Sequence, residues 1–361
     1  MRSNSYLELN YRPELPSKHD YGIGCVGAGL IMNVAHLPAY RKAGLKVLAI
    51  TDLKREAAER TAKKYEIPKV CESLDELLET PGIDILDVAI PAGANPTLAE
   101  KIFAAGKHAL MQKPMAESLE EAERMVKLAR KAKMKFAVNQ QMRWSPSVRA
   151  AKDLLQRGWL GEPIEYRIEI SIKTDWSLSP WLKKHPYPEL TYHTIHYVDT
   201  VRSWFGDPQG VYATLASHPE AEYEGPTRSY LLLDYPGPLR GSILVQHYSV
   251  AAPDDYISHF TIDGTEGRCD GLIGLYLDYP AGRSDLVSLS HQRYLPKGLL
   301  RMELEGRWIP DAFLGPMGSL MRAIHEDGEP ETSGAEVLGT MRLLEAAKRS
   351  HETKRCVQPS P

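Results

Sequence analysis

The stretch YGIGCVGAGLIMN, residues 21–33, sets an apolar run against a glycine turn with the start of a helical segment beyond it. The run reads as a buried strand, and Leu30 to Ala43 as a helix stopped by Gly44. Pro38 should break or kink that helix, because its ring removes an N–H and crowds the preceding turn. Gly27-Ala28-Gly29-Leu30-Ile31-Met32 carries two of the three glycines of GxGxxG. Such a turn lets the backbone approach a pyrophosphate and rests that anion on a helix N-terminus. Gly27, Gly29, Leu30 and Ile31 are therefore candidate dinucleotide contacts. Met32 replaces the third glycine, which serves helix–strand packing more than phosphate contact.

Working outward, VLAITD is a second strand ending in Asp52, and Leu53 to Tyr65 is a charged, alanine-rich helix. The Asp52 carboxylate suits an adenosine ribose and would repel a 2′-phosphate, which favours NAD. Lys54 and Arg55 follow closely and leave NADP open. SLDELL begins with Ser73 and Glu76 at capping-box spacing, as does the helix after Ser118 and Glu121. ILDVAIP, HALMQ and KFAVNQ are further strands; NPTLAEKIFAAG is a helix with Asn95 at N-cap, Pro96 at N1 and Gly106 at its stop. Apolar strands alternating with amphipathic helices imply a doubly wound parallel sheet, the Rossmann arrangement, covered on both faces. Ligands bind beyond the carboxyl ends of such strands, which lines up Gly27, Asp52, Pro91, Lys113 and Gln140 on one rim.

The bulk numbers narrow the class. A chain of 361 residues suits two domains. It is 43% hydrophobic and 25% charged with net charge −3, so no electrostatic footprint for nucleic acid or an anionic membrane is present. No apolar run is long enough to span a bilayer, and residues 1–20 lack the apolar core of a secretory signal. Cys25, Cys71, Cys269 and Cys356 lie far apart with no CxxC pair, as expected of reduced thiols in a cytoplasmic protein.

GIGCVGAGLIMNVAHLPAYRKAG, AAGKHALMQKPMA, NQQMRWSP, HYVDTVRSWFGDP, IDGTEG and LLEAAKRSHETKR form an ordered series. In that order they resemble the glucose–fructose oxidoreductase and inositol dehydrogenase family, Gfo/Idh/MocA, from about Tyr21 to Val357. The resemblance implies two domains: an N-terminal Rossmann domain and a C-terminal α/β domain with a large, mostly antiparallel open sheet. We place an arm at 1–20, the NAD(P)-binding domain at 21–143 and the substrate and oligomerisation domain at 144–361. Read unaided, EPIEYRIEIS alternates with period two, as do parts of GVYATLAS, RSYLLLDY, RGSILVQHYS and ISHFTIDG. A helix from about Leu190 to Phe205 interrupts them, and helices near 314–325 and 336–349 close the chain.

The resemblance carries the family's catalytic lysine onto Lys113, with Pro114 after it in a bond that the family often has in cis. An ammonium there can donate to a reacting oxygen and stabilise negative charge developing on it. Gln112 stands where the family usually has glutamate, a loss that favours a less protonated lysine. The second catalytic candidate is His196, which suits proton transfer near neutral pH. On a helix Tyr192, His196 and Asp199 occupy i, i+4 and i+7. Tyr192 stands where the family commonly has aspartate, and either relays a proton or marks different chemistry. His193, His196 and Asp199 also admit a metal, but nothing nearby supplies further ligands, so no metal is expected. Arg143 would hold cofactor or substrate oxygen, or else form an ion pair between domains. Trp176, Trp181 and Tyr187, in TDWSLSPWLKKHPYP, would form a substrate lid or pack between subunits.

The expected protein is an NAD(P)-dependent oxidoreductase acting on a secondary alcohol or ketone of a sugar or cyclitol. Catalytic roles fall to Lys113, His196 and Tyr192. Cofactor contacts fall to the glycine turn, Asp52, Pro91, Gln112, Lys113, Gln140 and Arg143. The expected partners are a small sugar or polyol and a second or fourth copy of the chain through the C-terminal sheet. Two alternatives share these residues: an NAD-dependent glycosidase, and a nucleotide- and sugar-binding sensor without turnover.

Overall fold

The computed structural model describes residues 7–359; residues 1–6 of the expected arm lie outside the described residues. Contacts divide the chain into two compact units. One comprises Pro13–Gln141 and Ile309–Arg342, the other the described residues of Met1–Arg12, Met142–Trp308 and Leu343–Pro361. The continuous second domain expected from 144 onward is therefore corrected, because residues 309–342 pack with the first unit.

That first unit is built on six parallel strands: β1 (Gly22–Val26), β2 (Lys46–Thr51), β3 (Lys69–Val70), β4 (Ile83–Val88), β5 (His108–Gln112) and β6 (Phe136–Asn139). Their spatial order is β3-β2-β1-β4-β5-β6. Strands β1 and β6 are buried along their whole length, as a sheet covered on both faces requires. Ser73 accepts from the Glu76 N–H at 3.2 Å and Ser118 from the Glu121 N–H at 3.2 Å, so both expected caps form. Asn95 departs from its expected N-cap role. It already has helical dihedrals, and its buried side chain donates instead to the Met115 carbonyl at 3.2 Å.

The returning segment explains the corrected boundary. Val138 N–H donates to the Thr332 carbonyl at 2.8 Å, and Ala137 bridges Ser333, so this piece covers the outer edge of β6. Gly334 then starts a helix running to Thr353, and a Cβ on it would come within 2.4 Å of the Phe136 ring. Val337, Leu338 and Met341 complete the core formed by Phe103, Val126 and Phe136. Local periodicity predicts such a helix but not which sheet receives it.

The second unit has an eight-stranded sheet containing the five expected strands: β7 (Pro163–Ser171), β8 (Gly210–Ala216), β9 (Arg228–Asp234), β10 (Arg240–Gln246) and β11 (Ile257–Gly264). Gly267–Leu272, Leu286–His291 and Leu300–Glu303 add three strands beyond β11 that the sequence reading did not place. All neighbours pair antiparallel except β7 and β10. Among the described residues no helix is long and apolar enough to cross a membrane.

Candidate active site

Gly27 adopts a φ of 96°, and a Cβ there would approach the Ala89 carbonyl oxygen to 2.5 Å, so backbone and space both demand glycine. Gly29 is different: a Cβ on it would meet nothing within 4 Å, leaving the turn open on that side. Asn33 braces the turn from one helical turn on, donating to the Ala28 and Gly29 carbonyls at 3.0 and 3.1 Å. The helix beyond does not break at Pro38. It widens into a π-turn over Met32–His36, with the Leu37 N–H reaching the Met32 carbonyl, then continues over Leu37–Ala43. The wider turn accommodates the N–H that proline lacks. Leu30 is exposed, Ile31 is half-buried, and Met32 is fully buried where the third glycine would stand.

Asp52 braces the same turn, accepting from the Ala28 and Lys54 N–H groups at 2.7 Å each. Arg55 is turned toward carboxylates, donating to Glu59 at 2.8 Å and pairing with Glu72. Its charge is thereby largely neutralised, which weakens the sequence argument for a 2′-phosphate. Pro91 is exposed at the end of the β4 segment, ahead of a short turn over Ala92–Ala94.

Lys113 follows β5 directly, and its bond to Pro114 is cis. Burial pulls its amine down from 10.5 to about 7. Gln112 does not present its amide to the rim as expected of a cofactor contact. Its Oε1 accepts the Lys113 backbone N–H at 2.8 Å, and its Nε2 lies 3.1 Å from Nε2 of the fully buried His36. The imidazole draws it inward: His36 Nδ1 donates to Asp87 at 2.8 Å, the Tyr40 hydroxyl donates to the same oxygen at 2.9 Å, and Asn139 Nδ2 joins His36 Nε2 at 3.1 Å.

The rim beyond β6 carries unfilled hydrogen-bonding capacity. Gln140 is 1% exposed, yet neither amide atom has a partner within the described chain. Asn95 Oδ1 and Asn139 Oδ1 are buried in the same condition. A buried polar group left so costs roughly 1–3 kcal/mol, a cost removed when a polar ligand supplies the bond. An open glycine turn after the interior strand β1 and an orphaned Gln140 amide after the edge strand β6 fit a dinucleotide.

In the second unit the stretch carrying His196 is a π-turn over Leu190–Thr194 followed by a helix over Ile195–Phe205. The i, i+4, i+7 spacing of Tyr192, His196 and Asp199 therefore starts in a wide turn rather than a regular helix. The half-buried Tyr192 ring lies edge-on to His185 with centroids 5.3 Å apart, packed against Trp176, Leu182 and Tyr223. His196 is buried edge-on to Trp308 at 5.2 Å. Asp199 takes both prongs of Arg143, at 2.6 and 2.7 Å, with both residues buried. Because both belong to this unit, the pair is not a bridge between domains, and the fork expected on cofactor or substrate is committed to a carboxylate. The three lid aromatics also separate: Trp176 is buried, Tyr187 bonds Glu352, and Trp181 remains 55% exposed.

Comparison with known proteins then decides the family. A profile described as "Oxidoreductase family, NAD-binding Rossmann fold" matches residues 21–140, and the "GFO/IDH/MocA C-terminal domain" matches 148–270. The chain belongs to the Gfo/Idh/MocA family of NAD-binding oxidoreductases. Within it, D-apiose dehydrogenase of Paraburkholderia graminis is 24% identical, covering 90% of this chain and 86% of its own. The scyllo-inositol 2-dehydrogenase (NADP(+)) of Bacillus subtilis is 23% identical, covering 93% and 95%. Among solved structures, levoglucosan dehydrogenase in complex with NADH and levoglucosan has a TM-score of 0.81 at 19% identity, covering 95% of this chain and 100% of that one. This last likeness shows the fold.

Sequence reasoning missed His36, Tyr40, Asp87 and Asn139, and in the second unit the buried Glu189, which accepts from the Thr194 and Ser229 hydroxyls, and His247, 3.5 Å from it. Signals were present. Asp87 interrupts the otherwise apolar run ILDVAIP, and His36 and Tyr40 sit four apart on one helical face.

Proposed function

We propose that this protein catalyses NAD(P)-dependent interconversion of a secondary alcohol and a ketone on a sugar or cyclitol. The observation that carries the reading is the position of Lys113, directly after β5 at the carboxyl rim of the parallel sheet that also bears the Gly27 turn, and burial pulls its amine down to about 7. Bound NAD would supply the hydride acceptor in the oxidative direction. The dinucleotide would be held by Gly27, Gly29, Leu30 and Ile31 through their backbone, by Asp52 at the ribose, and by Pro91 and Gln140 along the rim. Lys113 donates a hydrogen bond to the reacting oxygen, and His196 takes the hydroxyl proton. Arg143 orients rather than binds, because its fork fixes Asp199 three residues beyond His196 on the same helix. Tyr192 acts as a tuning neighbour.

The substrate class is supported by the names of relatives that act on apiose, inositols and 1,5-anhydro-D-fructose. The preference for NAD over NADP is supported by the carboxylate of Asp52 beside the glycine turn, which would repel a 2′-phosphate, and by the pairing of Arg55 with Glu59 and Glu72. We further propose a cytoplasmic location and a homodimer or homotetramer formed through the eight-stranded sheet. The test is steady-state NADH formation on a panel of D-apiose, scyllo-inositol, myo-inositol and levoglucosan. Turnover with stoichiometric NADH supports the dehydrogenase. Release of a cleaved sugar without net NADH from a glycoside panel identifies the glycosidase instead, and binding with no turnover identifies a sensor.

A further inference from the structure

The buried cluster beneath Lys113 contains a decision about hydrogen positions that its geometry settles. The Lys113 backbone N–H can only donate, so the Gln112 atom 2.8 Å away must be its carbonyl oxygen. That assignment turns the Gln112 NH2 toward His36 Nε2, 3.1 Å away, and makes this nitrogen an acceptor. At the other side of the ring, His36 Nδ1 meets an Asp87 oxygen at 2.8 Å and must donate to it. The same oxygen also accepts the Tyr40 hydroxyl at 2.9 Å. The contacts around the ring agree on one arrangement, a neutral imidazole with its proton on Nδ1, and leave Asp87 Oδ1 and Asn139 Oδ1 without partners.

We propose that Asp87, His36 and Gln112 form a positioning relay that fixes the Lys113 backbone at the rim. Each member is held by the next from a different element of the first unit. Asp87 lies on β4, His36 in the π-turn, Gln112 on β5, and Asn139 on β6 adds a second donor to His36 Nε2 at 3.1 Å. Phe313 closes the ring's remaining side, with centroids 5.0 Å apart. His36, Tyr40 and Asp87 are fully excluded from solvent, so the chain of bonds is not diluted by water. If the imidazole proton moved to Nε2, that N–H would face two amide N–H groups. Asn139 or Gln112 would then have to turn over, and if Gln112 did, its NH2 would oppose the Lys113 N–H. The Nδ1–H tautomer of the buried histidine is thus the one that lets Gln112 hold the lysine peptide without any amide turning.

This relay rests on the reading of Lys113 as a reacting-site residue, and two separate readouts keep the two claims apart. The first is 15N NMR of the full-length chain labelled at histidine, which needs no substrate. His36 is expected as the neutral Nδ1–H form, and an Nε2–H form or an imidazolium overturns the relay. The second is a charge-transfer cycle. Gln112→Glu alone sets a second carboxylate against Nε2 and should convert His36 to imidazolium. Asp87→Asn alone removes the anchor for the Nδ1 proton. Each should lower kcat by about 10- to 100-fold with a much smaller change in KM, the expected scale for a misplaced reacting group. The double variant Asp87→Asn/Gln112→Glu restores one carboxylate on the opposite side, where it accepts both an Nε2–H and the Lys113 N–H. It should recover most of kcat and show the mirrored tautomer. Losses that simply multiply in the double variant overturn the relay, and so does a drop confined to stability. Should a variant fail to fold, the wild-type histidine spectrum still decides. Undiminished turnover in Lys113→Met would instead sink the function reading and leave the spectroscopic result standing.

Discussion

Each unit buries one carboxylate beside one histidine, and the two pairs are built differently. In the first, Asp87 and His36 are 2.8 Å apart, one Asp87 oxygen takes two donors, and the other has no hydrogen-bond partner. In the second, Glu189 and His247 are 3.5 Å apart. There both glutamate oxygens are served by hydroxyls, Thr194 at 2.7 Å and Ser229, while His247 bonds Thr174 through Nδ1 at 2.7 Å. Hydroxyls can rotate to suit either form of a neighbour, whereas amides and carboxylates dictate a tautomer. The first pair therefore specifies a proton position and passes it on to Gln112 and the Lys113 peptide. The second ties the π-turn over Leu190–Thr194 to β9 and β10, a brace for the helix that carries His196.

The largest effect should come from the lysine that the first pair serves. Lys113→Met should reduce kcat/KM about 1000-fold, the scale of losing a donor to a developing oxyanion. Fluorescence titration should show NAD+ binding within a few-fold of wild type. His196→Ala should cost about 100-fold through lost proton transfer, checked by the same steady-state assay. If His196→Ala proves silent, its helix and the Glu189 brace beneath it are structural only.

Direct contrast of the pairs is the next test. Glu189→Gln should lower unfolding free energy by about 2–3 kcal/mol in urea, with kcat at low temperature largely kept, because a buried hydrogen-bonding group is lost rather than a proton position. Asp87→Asn should show the reverse bias, a larger fall in kcat than in stability. Equal biases for the two variants would erase the distinction drawn here.

The difference in legibility between the two units has a physical basis. Glycine turns, capping boxes and the parallel strand series are local patterns, so Gly27, Ser73, Ser118 and Lys113 could be read directly. The buried network could not, because His36, Asp87, Gln112 and Asn139 come from four separated segments that only the sheet order brings together. The return of 309–342 to the first unit was hidden for the same reason: nothing in the pattern of Val337, Leu338 and Met341 says which hydrophobic face they fill. The π-turns at Met32–His36 and Leu190–Thr194 were also misread, since each adds a residue to a turn without breaking the apolar pattern. Arg143 was legible as a candidate, but its pairing with Asp199 within the second unit was not, because Asp199 lies fifty-six positions away.

Two smaller effects sharpen the account of the rim. A lysine depressed from 10.5 to about 7 binds fewer protons folded than unfolded across that interval. Stability should therefore rise with pH from about 7 toward 10.5 relative to Lys113→Met, measured by urea midpoints at matched ionic strength. Cofactor choice should respond least. Releasing Arg55 with Glu59→Gln/Glu72→Gln should improve NADPH binding several-fold while leaving NADH nearly unchanged, a shift of about 1 kcal/mol in binding preference.

The central claim is that Lys113 stands at the carboxyl rim after β5 with its amine pulled down to about 7 by burial, and its own titration tests this most directly. In the full-length chain labelled at lysine Cε, with Lys113→Arg used for assignment, NMR should show one lysine with a midpoint of about 7. A Lys113 that titrates near the ordinary 10.5 would contradict the account.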